Sequence, residues 1–165
     1  MENKPNRIIW HHSADQSTGH QADKINRYHK SLKFPLSILG FYGGYHILIE
    51  KDGSMIRFRA DNEIGAHDKD ENINSLGVCL AGNFNLEYPT KEQELALTPL
   101  LADWCQKYTI PINRIDPHRM GDNTDCPGKN LPDDWARKLL LPAGPETRKE
   151  ALQDVIKYIN TKLNA

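Results

Sequence analysis

Four stretches of the chain, 7–12, 45–50, 54–59 and 75–81, carry β-branched and aromatic residues bounded by Gly, Asn, Asp or Ser, and predict β-strands. Between the middle two, Lys51-Asp52-Gly53-Ser54 has the composition of a hairpin turn. Helical spacing appears elsewhere. Thr18-Gly19-His20-Gln21 has capping-box spacing ahead of Ile25, Tyr28, His29 and Leu32, and Thr90-Lys91-Glu92-Gln93 repeats it ahead of Leu97, Leu100, Leu101, Trp104 and Tyr108. Pro99 interrupts the second pattern and predicts either a kink or a helix start at Thr98. A short helix is expected over 133–141, then a break at Leu141-Pro142-Ala143-Gly144-Pro145. Beyond it, Leu152, Val155, Ile156, Ile159 and Leu163 form one apolar stripe of an amphipathic helix. The mixed order predicts an α/β fold with a mixed central β-sheet flanked by helices: one domain over 1–141, then a linker and amphipathic helix over 142–165. That helix is expected to pack on a monomeric domain; a dimer contact or the stub of a targeting module are the other uses of its stripe.

Composition narrows the partners. The 165 residues suit one well-packed domain, and the net charge of −1 with Lys and Arg scattered among acids argues against a nucleic-acid binder. No apolar stretch approaches the roughly 20 residues of a membrane span, and the polar start Met1-Glu2-Asn3-Lys4-Pro5-Asn6 lacks a signal-peptide core. The expectation is a chain without a membrane partner, made in the cytoplasm. Cys79, Cys105 and Cys126 show no disulfide framework; Cys79 and Cys105 sit in core patterns.

The chemistry concentrates in His118-Arg119-Met120-Gly121-Asp122-Asn123-Thr124-Asp125-Cys126-Pro127-Gly128, where an imidazole and a thiol lie close enough to bind one metal ion from a single loop. The adjacent His11 and His12 end the first strand; strand residues alternate faces, so one of them supplies a third ligand, and alternation does not say which. Three ligands leave a position open, as hydrolytic zinc sites do. Tyr45, after Gly43-Gly44, is a candidate donor to a developing oxyanion, and Thr124, two positions before Cys126, is a second candidate expected to face the same pocket. His46 is expected to point away from Tyr45, while His20 and His29 read as surface or partly buried helix residues.

Ile9-Trp10-His11-His12-Ser13-Ala14, Gly44-Tyr45-His46-Ile47-Leu48-Ile49, Gly65-Ala66-His67 with Asn74-Ser75-Leu76-Gly77-Val78, and His118-Arg119 with Thr124-Asp125-Cys126-Pro127-Gly128 together resemble the zinc N-acetylmuramoyl-L-alanine amidases, the family of phage lysozyme-type amidases and peptidoglycan recognition proteins. The resemblance covers roughly 7–136. It implies one Zn²⁺ per chain held by His11, His118 and Cys126, with Tyr45 and Thr124 catalytic. It further implies hydrolysis of the amide between the lactyl group of N-acetylmuramic acid and L-alanine, by an endolysin or autolysin reaching the wall after holin- or lysis-mediated release. His67, Asn74 and Arg59 are the expected substrate-lining residues. Phage members often carry Lys two positions before the last ligand and recognition-protein amidases Thr, so Thr124 sides with the latter. Two other classes share the pattern: a wall-binding module without catalysis, and a structural zinc domain, which needs a fourth ligand.

Overall fold

The structure, a computed structural model, describes residues 2–141; the expected linker and C-terminal helix over 142–165 lie outside the described residues. Five strands form one mixed sheet: β1 (Arg7–His12), β2 (Ile47–Ile49), β3 (Met55–Arg57), β4 (Ser75–Leu80) and β5 (Ile115–Pro117), in the order β3-β2-β4-β1-β5. β1 runs parallel to β4 and β5, β2 is parallel to β4, and β3 returns antiparallel to β2 through the turn at Asp52-Gly53. The helices are α1 (Ala22–Ser31), α2 (Lys91–Tyr108) and the short α3 (Trp135–Lys138). Among the described residues no helix is long and apolar enough to cross a membrane.

Strand alternation divides the molecule into two apolar layers. Ile8 and Trp10 of β1, with Ile47 and Ile49 of β2, Val78 and Leu80 of β4 and Ile115 of β5, bury against Leu97, Leu101 and Trp104 of α2 and Ala136 of α3. The other face is thinner: Leu48, Cys79, Phe58 and Ala81 pack with Ala22 and Ile25 of α1. His11 pairs with Cys79 in register, so it belongs to this second face, and His12 belongs to the first.

The two helix starts differ from one another. Thr90 caps α2 as its sequence predicts: its hydroxyl accepts from Gln93 N–H, and the Gln93 side chain accepts in return from Thr90 N–H. α1 does not use Thr18; the buried Glu50 carboxylate, following β2, accepts from Gln21 N–H at 2.7 Å and Ala22 N–H at 2.8 Å. A charge from another element thus satisfies two orphan donors and complements the helix dipole. α2 runs through Pro99 from Lys91 rather than starting at Thr98; Pro99 lies on the exposed side, so its ring takes no core position and the apolar face of the helix continues past it.

β5 escapes the strand pattern. Its three residues, Ile-Asp-Pro, are too few for any periodicity, and it is held by pairing with β1 and by Arg7 and Arg137, whose guanidinium groups bind Asp116.

Candidate metal centre

Parallel pairing is what assembles the site. Trp10 aligns with Pro117, so the residues that follow, His11 and His118, emerge side by side although they come from opposite ends of the chain. Their ring centroids are 4.4 Å apart. The loop after His118 then folds back and delivers the Cys126 sulfur to 3.7 Å from His11 Nδ1. One ligand atom from each of His11, His118 and Cys126 lies within 4.8 Å of the others. Two nitrogens and a sulfur are a borderline-soft donor set, and tetrahedral zinc with ordinary Zn–N and Zn–S bonds separates such atoms by about 3.6 Å. The residues therefore fit Zn²⁺.

His12 is excluded by its own bonds. On the far face of β1 its Nδ1 accepts from Phe84 N–H at 3.0 Å and its ring packs on Phe84. Burial and the nearby Arg119 charge lower its pKa to about 4, which keeps the imidazole neutral.

The Cys126 loop is braced from within. Arg119 N–H donates to Cys126 C=O at 2.9 Å, while its guanidinium reaches Gly128 C=O, Leu131 C=O and the Asp133 carboxylate. The sequence signals no role for Arg119, since the carbonyls it serves become visible only when the loop is closed. Arg119→Ala should lower stability by about 2–3 kcal/mol through these charge-assisted bonds, read as a fall in denaturant midpoint together with weaker metal binding.

Thr124 lies in the same loop, its hydroxyl oxygen accepting from Cys126 N–H at 3.2 Å. That bond leaves the hydroxyl proton to be donated elsewhere. Tyr45 stands with its ring centroid 5.1 Å from that of His11. Burial raises its phenol pKa well above the ordinary tyrosine value, so it remains a donor. His29, read from sequence as a surface or partly buried residue, is buried: its Nδ1 accepts from Gly44 N–H at 2.9 Å, and its ring stacks on Phe34 and lies 5.5 Å from Tyr45. It holds the Gly-Gly entry to Tyr45. His46 turns away from Tyr45, bonding Gly77 N–H and Glu63 C=O.

Two of the three expected substrate-lining residues lie elsewhere. Asn74 is at the opposite end of β4 from the cluster, tied by its backbone to Asn3 and Asn6. Arg59 is 2% exposed, with its guanidinium donating to the carbonyls of Gly43, Pro35 and Ile64; it braces the loop ahead of Tyr45 and has no face toward a groove. His67 does reach the site, with its Nδ1 3.1 Å from His11 Nε2, and it borders a depression of about 310 Å³ shared with Asp68, His118 and Asp122. Two carboxylates that no sequence pattern singles out flank His118: Asp122 lies 3.1 Å from its Nε2 and Asp68 4.0 Å. A carboxylate behind a metal-binding imidazole orients the ring and raises its basicity. A second depression, of about 480 Å³, adjoins the Ser13–Ser17 segment and Lys24, Tyr28 and Asn83, and includes none of the three candidate ligands.

The same fold recurs in known proteins. A family model described as N-acetylmuramoyl-L-alanine amidase matches residues 1–129. The chain belongs to that family. Peptidoglycan-recognition protein SC2 of Drosophila melanogaster is 32% identical over 125 residues, 74% of this amidase-family chain and 68% of the relative. The endolysin of Escherichia phage T7 is 32% identical over 104 residues, covering 59% and 67% of the two chains. Among solved structures, N-acetylmuramoyl-L-alanine amidase LysC from Clostridium intestinale superposes with a TM-score of 0.72 at 33% identity, over 84% of this chain and 86% of that one. The mixed sheet of this family member is thus shared with both lytic and recognition branches.

Proposed function

We propose that the chain is a zinc-dependent peptidoglycan amidase that cleaves the amide between the lactyl group of N-acetylmuramic acid and L-alanine. The observation that carries this is the His11, His118 and Cys126 cluster, three ligand atoms within 4.8 Å beside the Tyr45 phenol, in a member of the amidase family. A wall-binding module has no need of a thiol in that cluster. A structural zinc would require a fourth His, Cys or carboxylate close to the other three; among the described residues the group containing Cys126 has three members.

When bound, the ion supplies Lewis-acid polarisation and acidifies water at neutral pH. The chain's residues do the rest. Burial keeps His11 neutral and Tyr45 protonated, so one serves as a lone-pair donor to the ion and the other as a hydrogen-bond donor to oxygen. The Tyr45 hydroxyl and the proton of Thr124 are the groups available to stabilise charge on the lactyl carbonyl oxygen. Asp122 holds the His118 ring. The substrate is peptidoglycan or a soluble muropeptide, and the lytic role is that of an endolysin or autolysin acting on the wall after release.

Incubation with purified peptidoglycan tests the proposal. New L-alanine amino termini should appear, activity should fall to background after chelation, and one equivalent of Zn²⁺ should restore it. Full activity in the exhaustively demetallated chain would overturn the zinc assignment, and solubilised glycan without new alanine termini would overturn the bond assignment.

A further inference from the structure

His11 and His67 share one hydrogen bond, and the surroundings of His67 decide which ring donates. The Ser75 hydroxyl, fully buried at the start of β4, donates its only proton to Glu71 C=O. Toward His67 Nε2, 3.4 Å away, it can only accept. The proton of the neutral His67 ring is therefore on Nε2, its Nδ1 is a lone pair, and His11 Nε2–H is the donor across 3.1 Å. This leaves His11 Nδ1 unprotonated, and that is the atom facing the Cys126 sulfur.

The fold makes room for this ring. A β-carbon at Gly77 would collide with His67 Cδ2, and one at Gly65 would do the same from the other segment. Neither glycine has a positive φ, so the backbone conformation does not demand them; what they share is the imidazole they admit.

We propose that the Glu71 carbonyl, Ser75, His67 and His11 form a fixed hydrogen-bond relay that sets the tautomer and orientation of His11, which makes His67 a positioning residue for a metal ligand. The inference rests on the zinc assignment above for its role, but not for its geometry. It distinguishes the two imidazole ligands: His118 is backed by carboxylates, whereas His11 is backed by a neutral chain that ends on a backbone carbonyl.

Two-bond nitrogen–proton NMR correlations on the metal-free full chain read the His11 tautomer directly, and competition with a chromogenic chelator gives the zinc affinity. The expected result is a single Nε2–H tautomer at His11. Ser75→Ala should give a mixture of tautomers and several-fold weaker zinc binding; His67→Leu should weaken zinc about 10–100-fold. His67→Gln, whose amide oxygen still accepts from His11, should recover most of that loss. An Nδ1–H tautomer in the wild type would overturn the relay. So would folded Ser75→Ala and His67→Leu chains that bind zinc as tightly as wild type, and a rise in KM alone would assign His67 to the substrate instead. If His67→Leu fails to fold, the wild-type tautomer and Ser75→Ala decide. A wild-type chain that binds no zinc overturns the proposed function, while the tautomer measurement still judges the relay.

Discussion

Cys126→Ala should abolish release of stem peptides from peptidoglycan, with a loss of roughly 10³-fold or more, several kcal/mol of transition-state stabilisation at about 1.4 kcal/mol per factor of ten. Cys126 is the one anionic ligand that the cluster offers. Burial pushes its thiol pKa up to about 12 in the absence of a metal, so the thiolate forms at neutral pH only when a cation takes the place of the proton. Loss of activity should therefore be accompanied by loss of bound zinc and of the proton released on zinc binding. Wild-type rates from the alanine variant would sink the metal mechanism outright; zinc retention with activity lost would move Cys126 from ligand to a different catalytic task.

Tyr45→Phe should lower kcat by about 10²–10³-fold, the usual cost of removing one oxyanion donor, and leave zinc affinity unchanged. The ring stays the same size, so its packing against His11 and His29 is preserved and only the hydroxyl is lost. Steady-state kinetics on a defined muropeptide, alongside zinc titration, separates the possibilities. An unchanged kcat would remove Tyr45 from the reaction, and a parallel fall in zinc content would show that it supports the ligands.

The contrast between these residues and Arg59 or Asn74 shows what a sequence reveals and what it hides. Donor types and spacing expose a cluster such as His118 and Cys126, because few other reasons place an imidazole and a thiol in one glycine- and proline-bounded loop. Strand alternation separates His11 from His12 but does not say which face is the site; that depends on β4 and β5 pairing with β1 and on Phe84 claiming His12. Arg59 misleads because a charged residue near a strand end ordinarily faces water, whereas here three backbone carbonyls draw it inward. Asn74 shares a stretch with Gly77, but it lies five positions before Cys79, the register partner of His11, and the strand carries it away from the cluster. Asp68, Asp122 and Glu50 act through partners remote in the chain or hidden in a loop, so no local pattern announces them.

His11 and Cys126 are separated by 115 positions, yet their ligand atoms are 3.7 Å apart. A cation gripping both is a cross-link that ties the first strand to the loop that follows β5. By the loop-closure reasoning applied to disulfides, a bridge of that span restricts the unfolded chain by on the order of 4–5 kcal/mol. On the proposed zinc assignment, metal supply would govern how long the fold survives as well as whether the amide is cut, so that chelation is expected to lower unfolding resistance and activity together.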